Sequence, residues 1–70
     1  MSQTIPIHPL RRYRRRHKIA LKQFAYAIGY DKSWLSKIER FRSQPGRELI
    51  TRIIDVTDGE LRFDDFRRPF

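Results

Sequence analysis

Apolar positions recur at helical spacing in four stretches of the chain. Leu10 and Tyr13, with His17 a turn further on, share one face of a segment opening at Pro9. Proline suits the first helical position, because its ring pre-sets the backbone and the N–H it lacks has no helical partner. This predicts a helix over 9–17. Phe24, Ala25 and Ile28 predict a second over 20–28, with Lys22, Gln23 and Tyr26 outward, and Gly29 ends it where a left-handed backbone is easiest for glycine. Asp31 offers an N-cap carboxylate to KSWLSKIER, a third helix over 32–40 with Leu35 and Ile38 inward. Pro45 and Gly46 mark a loop. The adjacent pairs Leu49/Ile50 and Ile53/Ile54, one turn apart, then predict a helix over 47–57. The β-branched residues of 50–57 favour a strand, but this spacing overrides them. FDDF suggests a last helical turn near 63–67.

The fold class expected is all-α, with four or five short helices around a single core. Residues 1–8 read as a flexible arm, since Pro6 and Pro9 hold their predecessors extended. Residues 9–67 form the domain and 68–70 a tail.

Length and composition narrow the function. Seventy residues make one small domain, too short to enclose a typical enzyme pocket as well. There is no cysteine, which excludes disulfides and thiolate metal sites and fits a reducing compartment. No apolar run resembles a signal peptide or a membrane span. A soluble, cytoplasmic, nucleoid-associated protein with no cofactor is expected.

Charge changes the picture most. Sixteen Lys and Arg stand against eight Asp and Glu, for a net +8, and they are segregated. Residues 10–22 carry seven basic groups and no acid, whereas residues 53–70 carry three basic groups and five acids. Such a dipole expects a polyanion on the N-terminal side. Nucleic acid fits better than an anionic membrane, because Leu10, Tyr13 and Ile19 look like core residues and not an insertion face.

Leu21 to Arg40 carries a helix-turn-helix pattern. Two helices that cross steeply need a small side chain at their closest approach, Ala25, and a tight turn, Gly29. Leu35 and Ile38 anchor the second helix and leave its other face open. The stretch IALKQFAYAIGYDKSWLSKIERFRSQPGREL resembles the DNA-binding domain of the lambda-repressor and Cro class, the XRE family. The resemblance covers about residues 9–66, and GYDKSWLSKIER is its most diagnostic part. It implies a recognition helix entering the major groove of double-stranded DNA. Lys32, Ser33, Ser36 and Lys37 then match base-contacting positions, and Lys22, Gln23, Arg40, Arg42 and Ser43 match phosphate-contacting ones. Arg11, Arg12 and Arg15, with the arm, are candidates for further phosphate or minor-groove contacts.

Three positions depart from that pattern. Ala20 stands where the family has a capping Ser or Thr, Leu21 where a Gln bonds phosphate, and Phe41 where a Gly follows the recognition helix. Since a left-handed conformation is costly for Phe, either the third helix runs on or the loop changes shape.

Plainer readings stand beside these. The polar positions of the third helix can be an ordinary solvated face, and Trp34 is expected to pack more than to contact phosphate. Part of the Arg11–Arg16 run must point away from DNA. His8 and His17 lack metal-ligand spacing, and Asp55, Asp58, Glu60, Asp64 and Asp65 lack the pattern of a calcium loop. No catalytic arrangement is present, so no enzyme is expected.

The function expected is a transcriptional regulator, a repressor binding an inverted repeat as a homodimer, whose dimer surface runs from the fourth helix to the C-terminus and includes Phe63, Phe66 and Phe70. Two alternatives differ in class. One is the antitoxin of a toxin–antitoxin pair, which implies a protein partner and for which the sequence has little room. The other is non-specific nucleic-acid binding by the arginine-rich segment.

Overall fold

The computed structural model describes residues 7–67. The arm residues 1–6 and the tail 68–70, with Phe70, lie outside this range. Four α-helices follow one another: α1 (Pro9–Arg16), α2 (Leu21–Ile28), α3 (Lys32–Glu39) and α4 (Arg47–Val56), before a 3-10 turn at Phe63–Phe66. There is no strand among the described residues. The all-α class and each expected helix are present, with ends displaced by a residue because terminal residues act as caps. His17 closes α1 and Arg40 closes α3, while Ala20 precedes α2 in extended backbone.

The core takes one stripe from each helix. Leu10 and Tyr13 meet Phe24, Ala25 and Ile28, Leu35 and Ile38, then Leu49, Ile50 and Ile53, with Leu61 and Phe66 closing the C-terminal side. Phe24, Leu10, Leu35, Ile38 and Ile53 are fully buried. Burying an aliphatic or aromatic side chain of this size is worth about 1.5–3 kcal/mol, so these residues dominate the stability of so small a domain. Phe66 belongs to this core and is 3 % exposed, which removes it from the expected dimer surface; Phe63 remains outside, at 47 %.

Polar groups fix the order of packing. The Arg14 guanidinium grips Glu39 through two hydrogen bonds of 2.6 and 2.7 Å and donates a third to the Ile19 carbonyl at 3.0 Å. One side chain thereby joins α1, the α1–α2 turn and α3. Its hydrogen bond to Glu39 raises the Arg14 pKa, against the pull of burial. The buried Thr57 donates to the Ile54 carbonyl and accepts from the Leu61 N–H, pinning the turn after α4.

His8 lies in sequence next to the arm but is packed, only 5 % exposed. Its Nδ1 accepts the Leu10 N–H at 3.0 Å and so caps α1. Its ring lies 5.0 Å from Phe41 and 5.6 Å from Phe66. Burial lowers the His8 pKa from 6.5, while Glu39 and Asp65 pull it upward. The His17 ring lies tilted against Tyr13, with centroids 4.4 Å apart, and its Nε2 lies 3.1 Å from Glu60. Both histidines thus have structural partners.

Candidate nucleic-acid interface

A tight corner joins α2 to α3. Gly29 has φ 68° and ψ 39°, the left-handed cap a helix needs when its chain must turn at once. Its N–H reaches the Tyr26 carbonyl, and the Tyr30 N–H returns to Ala25 at 2.8 Å. Arg52 of α4 donates to the Ile28 carbonyl at 3.3 Å, so a cation also sits at the negative end of α2. Asp31 then caps α3, its carboxylate accepting the Ser33 and Trp34 N–H groups at 3.0 and 3.3 Å. Ala25 is buried in the core, 3 % exposed.

The start of α2 lacks a side-chain acceptor at Ala20, but Gln23 makes the reciprocal half of a cap, its Oε1 accepting the Ala20 N–H at 3.1 Å. That leaves the Gln23 amide N–H groups to donate outward. Lys22 beside it is exposed.

α3 buries Leu35, Ile38 and Glu39, and its opposite face is open. Lys32, Ser33 and Lys37 are exposed and Ser36 is half-buried. Trp34 is 38 % exposed, more open than a core aromatic, and the Lys37 Nζ stands 5.6 Å from the centre of its ring.

After α3 the chain neither extends the helix nor reshapes its end. Phe41 itself takes the left-handed conformation, φ 60°, in the place of a glycine. Its N–H bonds the Ile38 carbonyl at 3.0 Å and the Arg42 N–H bonds Lys37 at 2.9 Å, which closes the helix. Packing of the Phe41 ring against His8 opposes the backbone strain, of order 1–2 kcal/mol. Arg40 and Arg42 are exposed and Ser43 is half-buried. Arg11 of α1, Arg40 and Arg42 line a cleft together with Ile7, His8, Glu39 and Phe41.

The basic run of α1 divides by role. Arg11, Arg12 and Arg15 are exposed, and Arg12 donates to the Ile7 carbonyl at 3.2 Å. Arg14 points inward to Glu39, and Arg16 pairs with Glu60. The structural roles of Arg14, Arg16 and Arg52 have no clear signal in the sequence. Only Arg14 leaves a trace there, since its place one turn after Leu10 puts it at the border of the buried stripe. No group of three metal-ligating side chains occurs among the described residues, and no described helix is long and apolar enough to cross a membrane.

A capped helix held across another by a glycine corner, with cations along its free face, defines a helix-turn-helix unit of the DNA-binding type. A family model described as helix-turn-helix domain matches residues 8–62, and the chain belongs to that family. No curated protein and no solved structure matches the chain.

Proposed function

We propose that this protein is a sequence-specific DNA-binding transcriptional regulator, a repressor that occludes a promoter. The observation that carries the reading is the open face of α3. Ser33 and Lys37 lie opposite the buried Leu35 and Ile38, with Lys32 exposed and Ser36 half-buried beside them. Lysine donates to guanine O6 or N7, and serine reads either donor or acceptor edges. Lys22, Gln23, Arg40, Arg42 and Ser43 bracket that helix and serve the phosphates on either side, which fixes register without reading sequence. Arg11, Arg12 and Arg15 add phosphate contacts from α1.

One helix gives few base contacts, so two copies on an inverted repeat, with half-sites about one helical turn apart, supply the specificity. The exposed Phe63 offers apolar area for such pairing. Selection of duplexes from a random-sequence pool tests the reading, followed by footprinting and by sedimentation of the complex. A palindromic site bound by two chains is the expected result. A site bound by one chain would remove the dimer, and equal competition by unrelated DNA would remove sequence specificity.

A further inference from the structure

Trp34 is the only tryptophan of the chain, and the packing of the core does not explain where it sits. It is 38 % exposed. Its backbone N–H bonds the Asp31 cap, but its indole N–H makes no hydrogen bond among the described residues. Trp34 and Lys37 are three positions apart on α3, hence about 60° apart around the helix. The Lys37 ammonium lies over the indole ring, 5.6 Å from its centre. A cation at that distance is attracted by the negative face of the ring.

That arrangement matters because of what lysine is. Its ammonium is a compact charge on a flexible four-carbon stem, and left free on a recognition helix it serves any phosphate oxygen as readily as one base edge. We propose that Trp34 is a positioning residue for specificity: its ring holds the Lys37 ammonium over the face of α3, so that this charge meets one base edge. The inference rests on the DNA-binding reading above. Cation–π attraction corresponds to about two- to fivefold in an equilibrium when exposed, and nearer thirtyfold when DNA excludes water.

The pairing is tested first without DNA. Lys37→Met removes the cation, and Trp34 emission in the free protein should change; unchanged emission overturns the proposal whatever the DNA experiments give. Discrimination is then measured as the affinity ratio between a duplex enriched by the wild-type chain from a random pool and its scrambled counterpart. Trp34→Leu, which keeps apolar bulk but has no ring face, should lower that ratio two- to thirtyfold. Trp34→Phe should retain most of it. In a Lys37→Ala background, Trp34→Leu should change the ratio no further. Equal weakening of both duplexes by Trp34→Leu overturns the role, as does the same loss with and without Lys37. Should the wild-type chain enrich no duplex, sequence-specific binding itself fails and the inference falls with it, a result distinct from silent emission in the free protein.

Discussion

The guanidinium of Arg14 and the carboxylate of Glu39 meet in a two-pronged pair, Nε to Oε2 at 2.6 Å and Nη2 to Oε1 at 2.7 Å, that ties α1 to α3. Their side chains are only 13 % and 5 % exposed. Glu39 stands one turn from the half-buried Ser36 and anchors the helix that carries it. Removing one member leaves the other charge buried and uncompensated. Glu39→Ala should therefore destabilise the fold by about 3–5 kcal/mol, whereas Arg14→Met combined with Glu39→Leu should recover most of that loss. Urea unfolding of the single and double variants checks this. A double variant no more stable than Glu39→Ala contradicts it.

His8 makes stability depend on pH. In the folded chain its Nδ1 must stay unprotonated to accept the Leu10 N–H, and burial lowers its pKa from the ordinary 6.5. The unfolded chain thus binds the proton more readily. The stability from neutral His8 is whole above the unfolded pKa and is lost as the pH falls from there through the lower folded value. Thermal midpoints taken from pH 7 to pH 5 should fall in the wild type. His8→Asn, which keeps a capping acceptor that does not titrate in this range, should flatten the fall. Parallel curves would place the titrating group elsewhere.

The glycine corner has a backbone requirement and little steric one. A Cβ at Gly29 would meet Arg52 Nη1 at an ordinary 3.7 Å, but φ there is +68°. Gly29→Ala should cost roughly 1–2 kcal/mol through the left-handed backbone alone, read as a lower urea midpoint with an unchanged slope. A near-neutral result would show that the corner relaxes. Binding to a selected duplex should survive wherever the variant is folded.

Base and phosphate contacts separate by salt and by sequence. Lys37→Ala takes away one donor to a base edge, and should reduce discrimination between a selected site and its mutant by about 1–3 kcal/mol. Arg42→Ala should weaken all duplexes alike and lower the salt slope by about one. Titrations at several salt concentrations decide this. Identical behaviour of the two variants would falsify the division between them.

Much of this fold is legible in the residue order. The pairs Leu49/Ile50 and Ile53/Ile54, the Asp31 cap and the Ala25–Gly29 spacing each specify a local conformation, and the helices form where those signals stand. The dimer surface is less legible. Phe66 reads in sequence as part of an exposed pairing surface, yet it fills the space between α1 and α4, because a short chain recruits any large apolar group within reach of its core. Phe41 shows the same limit. Its left-handed backbone is the least favourable of the open choices locally, and packing against His8, more than thirty positions away, makes it tenable.

The sequence by itself determined the helical pattern, the corner between α2 and α3, and the positive charge at the N-terminal side, since each follows from neighbours within a turn or from a simple count. Tertiary structure alone decided which cations remain available. The arginines between positions 11 and 16 are nearly alike in sequence, but Arg14 is spent on Glu39 and Arg16 faces Glu60, while Arg11, Arg12 and Arg15 stay exposed, Arg12 with one N–H on the Ile7 carbonyl. Long flexible side chains have no local conformational signature. Where each one ends depends on the charges and carbonyls that folding brings near it from distant parts of the chain.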